Sequence, residues 1–145
     1  VSDLIVEGPI LVGIEPLHDI QRAVVTHLAD NLDVPVFDYV PEDADTPYVC
    51  WGTAWLANRD ALNVCIDRVW FQIDCWSKYR GYAEAAGIAH RVVGLLHHIR
   101  LRIPGYDPIH VLREQTHATR DPGGPLRRMA ITFVCPYVST ANPKE

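Results

Sequence analysis

"RVWFQIDCWSKYRGYAEAAGIAHRVVGLL", residues 68–96, is a strand that turns into a helix. Its first part alternates strictly. Val69, Phe71, Ile73 and Cys75 point one way; Arg68, Trp70, Gln72, Asp74 and Trp76 point the other. A period of two with one apolar set predicts a strand with one face in a core. The second face should meet water, yet it carries two tryptophans. After Gly81 the period changes. Tyr82, Ala85, Ala89, Val92, Leu96 and Ile99 form a helical stripe, with Glu84, Gly87, Arg91, Gly94 and His98 opposite. The helix is expected to run to about Arg100, ahead of Pro104-Gly105. A glycine inside a helix costs about 1 kcal/mol against alanine, so Gly87 and Gly94 mark either a close approach or plain tolerance.

Upstream, "EPLHDIQRAVVTHLADNL" (15–32) reads as a helix with Pro16 in its first turn and a stripe of Leu17, Ile20, Val24, Leu28 and Leu32. "VFDYV" is a short strand and "TPYVCWGTAWLA" a longer one, separated from the third strand by the loop "NRDAL". Downstream, "PIHVLREQTHAT" and "LRRMAITFVCPYV" flank the turn "RDPGGP" and form a hairpin. This order predicts an α+β fold: a single, mostly antiparallel sheet, both helices on one face, and a C-terminal β-hairpin. Residues 1–15 read as an apolar arm, 16–138 as one domain, and 139–145 as a polar tail.

With 145 residues, 48% of them hydrophobic, the chain suits one globular domain. It has no unbroken apolar run long enough to span a membrane. The opening "VSDLIVEGPILVG" lacks the basic start of a signal peptide. The net charge of −5 disfavours a dedicated nucleic-acid binder. The acidity is concentrated in "DNLDVPVFDYVPEDADTP" (30–47), where Glu42, Asp43 and Asp45 are either a solvated loop or a surface that repels something. Cysteines 50, 65, 75 and 135 include no CxxC pair, and three lie in apolar strands, so reduced thiols without metal are expected.

Phosphate-binding glycine loops, nucleophile elbows and zinc-protease motifs are all missing from the sequence. His97 and His98 are adjacent and diverge by about 100° on a helix, so they do not share one ion easily. Cys75 with His90 or His110 would make a thiol nucleophile pair, but nothing marks it. No catalytic residue, cofactor or metal is assigned. What remains are features of association. Trp70, Gln72, Asp74 and Trp76 form one candidate surface, and Gly87, Arg91 and Gly94 another. The tryptophans could equally be covered by the chain's own arm. The hairpin tip, with Arg120, Asp121, Gly123, Gly124, Arg127 and Arg128, is either a docking element or a soluble turn whose arginines the buried alternation does not need.

Three stretches in this order, "VFDYVPEDADTPYVCWG", "VWFQIDCWSKYRGYAEAAGIAHRVVGLL" and "REQTHATRDPGGPLRRMAITFVCPYV", resemble the tail-terminator or tail-completion (tail-to-head joining) family of long-tailed bacteriophages. The likeness covers residues 16–138 and rests on order and spacing. It implies a non-enzymatic virion protein, assembled in host cytoplasm. The subunit would form a hexameric ring at the head-proximal end of the tail tube. The ring would end tube polymerisation and join the head–tail connector, with DNA passing through the lumen and no membrane partner. Glu42, Asp43 and Asp45 would line an acidic lumen. The alternatives are another connector or tail-tube subunit, or a small Cys/His enzyme.

Overall fold

The computed structural model describes residues 3–5, 15–62, 65–79, 81–120 and 124–140. Along the chain come β1 (Asp3–Ile5), α1 (Pro16–Asn31), β2 (Val36–Phe37), β3 (Tyr48–Asn58) and β4 (Asp67–Ser77). Then follow α2 (Ala83–Leu96), β5 (Arg100–Arg102), β6 (Ile109–His110), β7 (Leu112–Arg120) and β8 (Arg127–Val138). The fold is α+β, as the sequence predicts.

The strand that opens the sequence reading is the centre of the larger sheet, ordered β2-β3-β4-β8-β7. Val69, Phe71, Ile73 and Cys75 are buried, and their neighbours Ile131, Phe133 and Cys135 on β8 are buried beside them. Phe71 stacks on Phe133 with ring centroids 5.3 Å apart. Both helices add to this one core, α1 through Ile20, Ala23, Val24 and Leu28, α2 through Ile88, Ala89, Val92 and Leu96. Each fully buried large aliphatic or aromatic side chain contributes about 1.5–3 kcal/mol, so this layer is the main source of stability. The Glu15 side chain caps α1 by accepting from Leu17 N–H at 2.8 Å, ahead of Pro16.

Two expectations need correction. The sheet is not single, and its mostly antiparallel pairing has two parallel exceptions. β2 pairs parallel to β3, and a second sheet, β1-β5-β6, has β1 parallel to β5. The cause lies just past α2, which ends at Leu96 rather than near Arg100. His97 is already extended, and His98 adopts a left-handed φ of 67°. Beyond it the apolar period is two, not 3.6. Ile99, Leu101 and Ile103 are buried, while Arg100 and Arg102 face outward and share the carboxylate of Asp3 at 2.8 and 2.7 Å.

The strand expected over 108–119 is two strands bent at Val111. That residue donates to Ile99 C=O at 3.0 Å and accepts from His98 N–H at 2.8 Å. The bend lets one continuous run serve both sheets. Ser139 and Thr140, read from the sequence as tail, pair with Asp107 and Tyr106. Tyr106 also donates to Asp19 at 2.7 Å, tying the small sheet to α1.

At the bend, Arg113 N–H donates to His97 Nδ1 at 2.9 Å, so Nδ1 must stay unprotonated. Burial pushes His97 below its ordinary value, and the charges of His98 and Arg113 act in the same direction. A depressed histidine contributes stability that is complete above the unfolded value, about 6.5, and lost as pH falls through the folded one. The wild-type chain should therefore lose more stability between about pH 7 and pH 5 than His97→Asn, whose amide oxygen accepts the same bond without titrating. Equal losses in urea titrations of the two proteins would show that this bond is not the sensitive contact.

Candidate functional site

The register of the larger sheet assigns every residue of its helix-free face. One row across that face is Tyr48, Trp76, Arg128 and Thr119; another is Cys50, Asp74, Ala130 and His117; a third joins Trp55, Trp70 and Val134. In the third row Trp55 is exposed, while Trp70 and Val134 are partly buried. The Trp55 and Trp70 rings stack with centroids 5.7 Å apart and planes 10° from parallel, and Trp55 is 42% exposed. The Arg68 guanidinium sits 6.0 Å from the Trp70 ring centroid. The result is an exposed aromatic platform with one flanking cation.

Asp74 lies in the adjoining rows and is only 7% exposed. A buried carboxylate requires partners. Arg128 supplies one at 3.1 Å, and Gln72 Nε2 another at 2.9 Å. The same Arg128 guanidinium lies 5.6 Å from the Trp76 ring centroid, so Trp76 is half covered by its own sheet. Trp70, Gln72, Asp74 and Trp76 thus share one face, as read from the sequence; Asp74 is buried and the other three are partly buried. Gly87, Arg91 and Gly94 are exposed on α2, which packs on the sheet's other side, so they belong to a different surface. Arg91 pairs there with Asp33, and among the described residues a Cβ on either glycine would meet nothing within 4 Å.

Glu42, Asp43 and Asp45 are exposed in the loop between β2 and β3. At the hairpin end, Arg120 is exposed and stands opposite Arg127, whose guanidinium lies 6.0 Å from the Tyr82 ring centroid. Gly124 is half-buried; Asp121 and Gly123 lie outside the described residues. Arg128 is no free tip residue, because Asp74 holds it.

Sequence reading missed Trp55, and the reason is a β-bulge. Trp51 and Trp55 have the same parity and should share a face. The register shifts between Trp51 and Ala54, so Trp51 turns inward to stack on Phe71 at 4.9 Å while Trp55 turns outward. Gly52 sits in the bulge. A Cβ there would lie 2.9 Å from Asp74 Oδ2 and 3.1 Å from Gln72 C=O. Only register information shows this; the nearest signal in the sequence is a glycine inside an otherwise regular strand.

The three buried thiols offer little chemistry; Cys65 is exposed. Burial pushes Cys50 up to about 11 and Cys75 and Cys135 to about 12, so all three stay protonated near neutrality and react poorly. Cys75 lies in the core while His90 and His110 are exposed. Among the described residues, no three His, Cys, Asp or Glu side chains gather as a metal site requires. No helix there is long and apolar enough to cross a membrane.

Comparison with known proteins agrees with this picture. The tail completion protein gp17 family matches residues 20–135, most of the chain. A chain from the structure titled "Virion of native gene transfer agent (GTA) particle" has the same fold, with a TM-score of 0.70 at 19% identity. The alignment covers 85% of this chain and 97% of that one. A search of curated proteins finds no match.

Two substitutions test the Asp74 network. Arg128→Ala should destabilise the fold by about 2 kcal/mol, because it leaves a buried carboxylate short of its charge partner. Gly52→Ala should cost about 1–3 kcal/mol, since the new methyl group meets a backbone carbonyl and a held carboxylate. Thermal melts of both variants that match wild type would show that Asp74 relaxes freely.

Proposed function

The chain belongs to the tail completion protein gp17 family, and on that premise we propose that it forms a ring at the head-proximal end of a phage-type tail tube. In this reading the protein is structural. It stops tube growth and offers the finished end to the head connector, within the virion. Its partners are further copies of itself, the tube protein and the connector, and DNA passes through the ring.

The observation that carries this reading is the platform of Trp55 and Trp70, together with Arg68. Stacked tryptophans with one exposed face and a flanking arginine have the composition of an association surface, where aromatic residues and arginine are enriched. The three buried thiols, raised well above neutrality, count against the Cys/His enzyme alternative. A tube subunit and a terminator differ in what they build alone: the first polymerises without limit, the second stops at a closed ring.

Trp55→Ser removes the exposed ring of the stack; more than half of that ring is covered, so a moderate fall in melting temperature is expected, and circular dichroism at the assay temperature checks that the variant is folded. Mixed with tube protein and viewed by negative stain, the wild-type chain should give tubes of fixed length capped at one end. The variant should give longer, uncapped tubes. Normal capping by the variant would exclude the tryptophan face from assembly. Long tubes from the wild-type chain alone would make it a tube subunit instead.

A further inference from the structure

The larger sheet ends in two unlike edges. On one side β3 pairs with β2 only at Val49 and Cys50, so among the described residues the outer edge from Trp51 to Asn58 has no partner strand. Edge strands are normally guarded by charge or proline, but β3 carries no Lys, Arg, Asp, Glu or Pro along its length. The opposite edge is β7, whose outer side is also unpaired among the described residues.

The four long strands β3, β4, β8 and β7 alternate in direction. Four is an even number. A copy rotated about an axis roughly along the strands therefore presents its β7 antiparallel to β3 of its neighbour, and the pattern repeats around a ring.

Charge lies at matching ends of these edges. The row Tyr48, Trp76, Arg128 and Thr119 sets the start of β3 level with the end of β7. Just beyond it on the β3 side is the acidic loop, where Asp38, Glu42, Asp43 and Asp45 are exposed. No Lys or Arg occurs between Arg22 and Arg59. Just beyond it on the β7 side is the hairpin end, where Arg120 and Arg127 stand side by side. None of these six side chains forms an ion pair among the described residues.

We propose that the acidic loop over 38–45 receives Arg120 and Arg127 of a second copy of this chain, bringing β7 of one subunit antiparallel to Trp51–Trp55 of β3 in the next. This rests on the ring reading above and specifies its contact. It assigns the loop to a subunit boundary rather than to the lumen. Charge complementarity sets which edge meets which, and the strand edges supply the hydrogen bonds.

The test is a charge exchange. Arg120→Glu with Arg127→Glu, and separately Glu42→Arg with Asp43→Arg, should each raise the dissociation constant for self-association at low salt by at least about tenfold. The chain with all four substitutions should recover to within about threefold of wild type. Sedimentation reads assembly and circular dichroism checks the fold; Arg120→Glu alone serves if Arg127→Glu unfolds through loss of its contact with Tyr82. Variants that assemble like wild type overturn the contact and leave the ring standing. A four-fold substituted chain that does not recover shows that loop and hairpin meet different partners. A wild-type chain that stays monomeric at every concentration, even with tube ends present, removes the ring and this contact together.

Discussion

The buried carboxylate of Asp74 constrains more of this structure than any other single group. It lies in the middle strand of the larger sheet at 7% exposure, and a charge there is tolerable only with partners. Arg128 and Gln72 provide them from the neighbouring strand and from two residues upstream. The carboxylate also needs room beside β3, and a glycine at position 52 provides it. Gly52 lies in the bulge, and the bulge splits two tryptophans of equal parity. Trp51 joins the core against Phe71; Trp55 is left outside against Trp70. The exposed aromatic platform thus follows from how one acid is accommodated in the sheet.

The parts of the fold that were legible in the sequence are those with an unbroken period. β4 and β8 alternate over eleven and twelve residues, and α1 keeps its stripe for four turns with a proline at its start. The end of α2 was not legible, because Ile99 falls on both periods: it continues the helical stripe of Leu96 and opens the alternation with Leu101 and Ile103. A left-handed residue at His98 decides between them, and histidine there is not a signal that local reasoning uses. The second sheet was hidden by the same ambiguity. Its third strand comes from the N-terminal arm, paired across a separation of 97 residues.

The candidate surface was half legible. Strand alternation alone identified Trp70 and Trp76 as aromatics on the wrong side. It did not show what each meets: Trp70 stacks on Trp55 beside Arg68, and Trp76 lies against Arg128 from the next strand. The glycines of α2 read as either a close approach or plain tolerance; among the described residues a Cβ on either would meet nothing within 4 Å. The hairpin arginines looked alike in sequence, whereas strand parity separates them. Arg128 points to the open face and is held by Asp74; Arg127 points to the helix face and reaches Tyr82.

These placements limit how such a subunit can associate. One face of the larger sheet is spent on the helices, which bury the apolar set of β4 and β8 and leave α2 with charged and glycine residues outside. The other face carries the Asp74 network at one end and the tryptophan stack, with Trp55 exposed, at the other. Among the described residues, the uncharged outer edge of β3 beyond Cys50 and the outer edge of β7 have no partner strand. An edge of that kind is a liability in a chain that remains single, because it templates pairing with any passing strand. A closed ring removes the liability by consuming both edges in every subunit, and it is the arrangement in which two unlike patches on one molecule are both satisfied with none left over.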